Sequence, residues 1–136
     1  MTRKLLVTGG AGFIGSNFVR HIQNVSPKTQ ITNLDLLTYA GSLENLKDLP
    51  VPQNHHFVHG DIRDQSLVEK LLRENQIDTI VHFAAESHVD RSLQGPSAFI
   101  QTNIDGTFLL LEAARKVWLE EKIVEPAMAR FHHIST

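Results

Sequence analysis

Thr8-Gly9-Gly10-Ala11-Gly12-Phe13-Ile14-Gly15 is the stretch on which the fold turns. It sets Gly9, Gly12 and Gly15 in a G-x-x-G-x-x-G spacing, directly after the run Lys4-Leu5-Leu6-Val7 and directly before a helical pattern. Between a strand and a helix these glycines meet three needs: a tight turn, close approach of a pyrophosphate to the backbone, and close packing of helix on strand. The first N–H groups of such a helix have no partner in the helix, and its positive dipole end points the same way, so the loop is suited to phosphate. The dinucleotide arrangement also needs an acidic residue about 20 positions later, at the end of the second strand. Asp35 stands there. Its carboxylate can accept hydrogen bonds from an adenosine ribose and would repel a 2′-phosphate, which favours NAD over NADP.

Outward from the loop, short apolar runs alternate with helix-like stretches, the pattern of βαβ units around a parallel sheet. Residues 4–8 form a continuous apolar run suited to burial on both faces. Over 13–25, Phe13, Ile14, Asn17, Phe18, His21, Ile22 and Val25 recur at spacings of three and four and predict one helical stripe. Further strands are expected at 31–35, 56–60, 79–83 and 130–135, with a short helix over 42–49 inside a long connection. Asp64 is placed to cap a helix that turns Leu67, Val68, Leu71 and Leu72 inward. Pro96 suits the first turn of another helix over 97–119. That helix carries Phe99, Ile100, Ile104, Phe108 to Leu111, Ala113, Ala114, Val117 and Trp118 around more than half its circumference, which predicts two partners, the sheet and something else. The expected class is α/β, a Rossmann-type doubly wound parallel sheet of five strands, in one domain over 1–136.

Two more stretches fall at the C-terminal ends of strands, where ligands bind in open α/β sheets. Gly60-Asp61-Ile62 offers a carboxylate that can reach an adenine amino group. Phe83-Ala84-Ala85-Glu86-Ser87-His88 offers small residues against which a cofactor can lie.

Composition narrows the remaining classes. At 136 residues, 41% hydrophobic and 21% charged, the chain suffices for one core. The absence of cysteine excludes disulfides, thiol catalysis and sulfur-ligated zinc, and fits a reducing, cytoplasmic address. A net charge of −2 gives no basic footprint, so nucleic acid is not expected as a partner. The apolar run behind Met1-Thr2-Arg3-Lys4 is too short for a signal peptide or a span, and no membrane is expected. His55, His56, His59, His132 and His133 raise a metal reading, but neighbours on a strand point to opposite faces and no carboxylate stands at a convincing spacing. No metal is expected. Ser87, His88 and Asp90 lie too close along one loop for a hydrolytic triad, and the sequence has no G-x-S-x-G elbow.

Taken together these residues resemble the extended short-chain dehydrogenase/reductases that modify nucleotide sugars, and among them the 4,6-dehydratases. The likeness rests on the glycine loop, on D-L-L-T-Y-A-G at 35–41, on Gly60-Asp61-Ile62, on A-A-E-S-H-V-D-R-S at 84–92, on T-N-I-D-G-T at 102–107 and on H-H-I-S-T at 132–136. The resemblance implies an NAD cofactor, oxidation of a nucleotide sugar at C4, loss of water across C5 and C6, and return of the hydride to C6. It implies that Phe13 and Ile14 hold the pyrophosphate with Gly9, Gly12 and Gly15, and that Asp35, Leu36, Leu37 and Thr38 hold the adenosine ribose side. Asp61 and Ile62 would contact adenine, Phe83, Ala84, Ala85, Glu86 and Ser87 would line the cofactor channel, and Thr102 would reach the cofactor from the long helix. Ser87 and Thr136 would face the hexose, with Thr136 orienting the reacting C4 hydroxyl. A homodimer through the helix at 97–119 is implied as well.

The chain departs from this family in one respect. Members continue past the threonine with an Asp-Glu acid/base pair and later carry Tyr-x-x-x-Lys. Neither is present: Tyr39 is the only tyrosine, and no lysine stands four residues after it. The expectation is a nearly complete cofactor site in a domain cut at the end of its fifth strand, which by itself should not turn over. Two alternatives stay open, another member of the superfamily such as a 4-epimerase or decarboxylase, and a non-enzymatic nucleotide-binding module.

Overall fold

The computed structural model describes residues 2–38, 41–85 and 93–135. Five strands, β1 (Lys4–Thr8), β2 (Gln30–Asp35), β3 (His55–His59), β4 (Thr79–His82) and β5 (Arg130–His133), form one parallel sheet in the order β3-β2-β1-β4-β5. This is the expected Rossmann-type sheet. Every residue of β1 after Lys4 is buried, as a central parallel strand covered on both faces requires. From β1 the chain moves outward to β2 and β3, then crosses back through α2 (Gln65–Glu74) to β4 on the other side of β1. The strand order thus reverses between β1 and β4, the place where open α/β sheets bind ligands at the carboxyl ends of their strands.

Alternation along the strands sorts the core into two layers. Leu5, Val7 and Ile31 face Val19 of α1 (Phe13–Val25) and Leu49. Leu6, Leu34 and Ile80 face α2 and the long helix α3, which spans residues 96–120. Asp64 caps α2 as expected, its Oδ1 accepting from the N–H of Leu67 at 3.1 Å, while Val68, Leu71 and Leu72 are buried. Pro96 opens α3, which runs through an α-helical turn (Pro96–Phe99), a π segment (Ile100–Gly106), an α segment (Thr107–Ala114) and a second π segment (Arg115–Glu120). Its buried face is Leu110, Ala113, Ala114, Val117 and Trp118, with the indole Nε1 donating to the carbonyl of Ile77 at 2.8 Å. Ile100, Ile104, Phe108 and Leu111 form a second stripe and stay 44 to 62% exposed. No helix among the described residues is long and apolar enough to cross a membrane.

Two expectations are corrected. Helix α1 has the expected bounds, but the face it buries is Gly15, Ser16, Val19 and Gln23 rather than the stripe through Phe13 and Ile14. Phe13 and Ile14 are 80% and 66% exposed, and Val25 also faces outward. Phe18 and Ile22 of the expected stripe do pack on the core, but at the start of the helix close approach to the loop selects small residues instead. Gln23 is tolerated inside because its amide bonds the backbone of Val51 in both directions, at 2.7 and 2.9 Å. The helix expected over 42–49 shrinks to a 3₁₀ turn, Leu43–Leu46, with Ser42 as its cap. Its polar groups turn toward the glycine loop instead: the Ser42 N–H and the Asn45 side chain both donate to the carbonyl of Ala11, at 3.1 and 2.8 Å.

Candidate functional site

The glycine loop is held on three sides. The N–H of Gly9 donates to Leu34 of β2 at 2.9 Å, and the N–H of Phe83, just past β4, donates to the carbonyl of Thr8 at 2.9 Å. Gly12 closes the turn by donating to Gly9 at 3.2 Å, and the first helical bond, from Ser16 to Gly12, follows at 2.9 Å. Gly9 has φ +72°, and a Cβ there would lie 2.7 Å from the backbone nitrogen of Ala84. Both the turn and its contact with the end of β4 thus require glycine. At Gly15 a Cβ would sit 2.3 Å from the Gly9 carbonyl oxygen, so the helix packs directly on the loop. Gly12 differs, since its Cβ would meet only that same oxygen at 3.4 Å. Among the described residues nothing demands glycine at position 12.

Gly12 is also the N-cap of α1, and no side chain caps it. The first turn holds no acidic residue. The leading N–H groups of α1 therefore have no side-chain cap, beside the exposed Phe13 and Ile14, as an incoming anion would need.

Asp35 ends β2 beside this loop. Its Oδ2 accepts from the N–H of Ala11 at 2.9 Å and its Oδ1 from the N–H of Leu37 at 2.8 Å. Leu37 has φ +57°, a left-handed conformation costly for leucine, held by that bond and by a neighbouring one from His59 Nε2 to the Leu36 carbonyl at 3.0 Å. Each carboxylate oxygen keeps capacity for another donor. Thr38 follows, exposed.

Asp61 lies past β3 in the fork of Arg63, whose Nε and Nη2 donate to Oδ2 at 3.0 and 2.8 Å while the Arg63 N–H donates to Oδ1 at 2.9 Å. Burial pushes this carboxyl upward, but the bonds and charge of Arg63 outweigh it and hold the pKa below the ordinary value. Arg63 Nη1 also donates to Gln101 at 2.9 Å, tying this turn to α3 next to Thr102. The side chain of Ile62 is buried among α2 and α3, which leaves only its backbone for a ligand. At the end of β4 the Phe83 ring packs on Phe18 of α1, Ala84 touches Gly9, and Ala85 is exposed.

The structure thus gathers Gly9, Gly12, Phe13, Ile14, Gly15, Asp35, Leu37, Phe83 and Ala84 around one loop. Asp61 belongs to a neighbouring cluster in which Arg63 reaches Gln101, the residue before Thr102 on α3. Glu86, Ser87, Tyr39 and Thr136 lie outside the described residues. Among the described residues no three His, Cys, Asp or Glu side chains are placed to hold a metal ion. Two cavities, of about 300 and 400 Å³, lie elsewhere, one at the amino ends of β1 to β3 and one along β5. Neither touches the glycine loop, and an open crevice at strand ends is the site a dinucleotide needs.

Sequence reasoning overlooked three contributors. Gly10 packs on the buried Asn33 amide, where a Cβ would lie 2.2 Å from Oδ1. Asn45 holds the Ala11 carbonyl, and His82 bridges Thr8 and Thr107. A polar residue inside an apolar strand was the available signal for Asn33 and His82.

Comparison with known proteins agrees with this geometry. The family model described as GDP-mannose 4,6 dehydratase matches residues 6–136. A dTDP-glucose 4,6-dehydratase of Shigella flexneri is 52% identical over 133 residues, 98% of this chain and 37% of that protein. The crystal structure of a dTDP-glucose 4,6-dehydratase from Streptomyces venezuelae, with NAD and TYD bound, superposes with a TM-score of 0.77 at 52% identity, covering 82% of this chain and 35% of that one. A UDP-glucose-4-epimerase from Stenotrophomonas maltophila, with bound NAD and formylated UDP-arabinopyranose, gives a TM-score of 0.76 at 31% identity, over 83% of this chain and 33% of that one. The chain spans little more than a third of the length of the curated relatives it matches.

Proposed function

The chain belongs to the GDP-mannose 4,6 dehydratase family, and from that membership we propose that residues 1–136 form the NAD-binding portion of a nucleotide-sugar 4,6-dehydratase acting on dTDP-glucose. The observation that carries the cofactor assignment is the uncapped N-terminus of α1, headed by a glycine for which packing among the described residues has no use. The residues present fit an adenine dinucleotide. The N–H groups of Phe13, Ile14 and Gly15 would take the pyrophosphate. Asp35, with Leu36, Leu37 and Thr38, would take the adenosine ribose hydroxyls, and its charge disfavours a 2′-phosphate. Asp61 and the backbone of Ile62 would meet adenine, and Phe83, Ala84, Ala85 and Thr102 would border the rest. Glu86 and Ser87 in the channel, and Ser87 and Thr136 at the hexose, complete the proposal from the family resemblance.

When bound, the nicotinamide would take a hydride from C4 of the sugar and return it to C6. The share of this chain is to bind and orient, with Thr136 proposed to hydrogen bond near the reacting C4 hydroxyl. The Asp-Glu pair and Tyr-x-x-x-Lys of the family are absent from it, so elimination is proposed for the whole protein and not for residues 1–136 alone. A cytoplasmic address belongs to the same proposal and rests on the cysteine-free composition. A homodimer through α3 is supported by the exposed stripe of Ile100, Ile104, Phe108 and Leu111; a monomer in sedimentation at micromolar concentration would speak against it.

Expression from the complete reading frame and incubation with dTDP-glucose tests the reaction. A 4-keto-6-deoxy sugar nucleotide is expected, with no net consumption of NAD⁺. A C4 epimer would instead favour the second reading, which the fold similarity to the 4-epimerase supports.

A further inference from the structure

A buried imidazole lies behind the crevice. His82, the last residue of β4, is 2% exposed. Its Nδ1 lies 2.6 Å from Oγ1 of Thr8, the last residue of β1, and its Nε2 lies 2.9 Å from Oγ1 of Thr107 on α3. Thr8 is fully buried and also accepts from the backbone N–H of Ala84 at 3.3 Å. The tautomer that uses every proton has the Thr8 hydroxyl, which accepts from Ala84, donating to a bare Nδ1, and Nε2–H donating to Thr107. Among the described residues Phe131, centred 6.2 Å away, and His133, centred 5.4 Å away, lie beside the His82 ring, and His133 is the titratable group that faces it. Burial, and then the charge of His133, lower the His82 pKa to about 4, so the ring is neutral at ordinary pH.

Packing alone does not call for a histidine here. The same core face carries Leu6, Ile80 and Leu110, and an aliphatic side chain would suit it. What the imidazole adds is a polar tie among the three elements that border the crevice. The glycine loop departs from Thr8, the Phe83-Ala84-Ala85 segment departs from His82, and α3 carries both Thr102 and Thr107. Clearances between them are small, since Gly9 and Ala84 are in backbone contact.

We propose that His82 is a positioning residue for the cofactor: as a neutral imidazole joined to Thr8 and Thr107, it holds the glycine loop, the end of β4 and α3 at the spacing a bound dinucleotide needs. The inference rests on the function proposed above. His82 itself touches no cofactor.

Calorimetric titration of the whole chain with NAD⁺ tests it, using wild type, Thr107→Val and Thr107→Ser. Valine keeps the shape and loses the hydroxyl, whereas serine keeps the hydroxyl and loses a methyl. The expected result is a dissociation constant raised roughly fivefold to tenfold in Thr107→Val, the size of one neutral hydrogen bond, and near wild type in Thr107→Ser. A role in packing alone reverses that order. Nitrogen-15 spectra of the histidines supply a second readout: His82 should show a bare Nδ1 and a protonated Nε2, unchanged from about pH 5.5 to about pH 8. Binding by Thr107→Val as tight as wild type, or a His82 ring protonated at both nitrogens in that range, would overturn this inference alone. Failure of folded wild type to bind NAD⁺ would overturn the proposed function and this inference with it.

Discussion

Gly12→Val is expected to weaken NAD⁺ binding by roughly 100-fold or more while leaving the urea midpoint of the chain at its wild-type value. Two observations combine to give this split. The backbone at Gly12 has φ −76° and ψ 174°, an extended conformation that valine adopts readily. Among the described residues a Cβ at this position meets only the Gly9 carbonyl oxygen, at 3.4 Å, which is ordinary contact. The fold therefore has no objection to a side chain. A phosphate does, because the branched methyls would cover the N–H groups at the start of α1 that have no other partner. Parallel titration and urea melts read the two halves separately. Undiminished binding by Gly12→Val would place the anion elsewhere, and a lost fold would mean that Gly12 serves the turn.

Gly15→Ala should do the opposite, costing stability by roughly 2 to 3 kcal/mol, a large share of what a domain of this size has. The sign makes the prediction sharp. Gly15 lies in the first turns of α1, where helix propensity alone would reward alanine by up to about 1 kcal/mol. Against that gain, the new Cβ would sit 2.3 Å from the Gly9 oxygen and 2.9 Å from the Gly10 Cα. Neither atom can swing aside as a side-chain tip would. Gly9 is anchored through its N–H to Leu34 and through its carbonyl to Gly12, and Asn33 lies directly against Gly10. Urea denaturation of the variant measures the balance. A midpoint at or above wild type would show that α1 can lift from the loop, and the close packing inferred here would be wrong.

The sheet was legible in the sequence because buried parallel strands are continuous apolar runs, and residues 4–8 and 79–83 admit little else. The glycine spacing and Asp35 were legible for the same kind of reason, since the chemistry restricts those positions to few residue types. The inward face of α1 was not. Apolar periodicity placed Phe18 and Ile22 against the core correctly, but it also chose Phe13 and Ile14, where contact with the loop required Gly15 and Ser16. The 42–49 segment misled in a similar way, because its backbone groups are satisfied by Ala11 rather than by a helix of their own. Asn33 and His82 escaped notice because each bonds across the sheet: Asn33 Nδ2 lies 3.1 Å from His55, and His82 joins β1 to α3. Such pairings become visible only once strand order is known.

The most direct test of the central claim is side-by-side calorimetric titration of the folded wild-type chain with NAD⁺ and NADP⁺. Saturable binding of NAD⁺ is predicted, with NADP⁺ weaker by roughly tenfold or more because its 2′-phosphate would meet the Asp35 carboxylate. Equal affinity for the two, or no binding of either, would contradict the account.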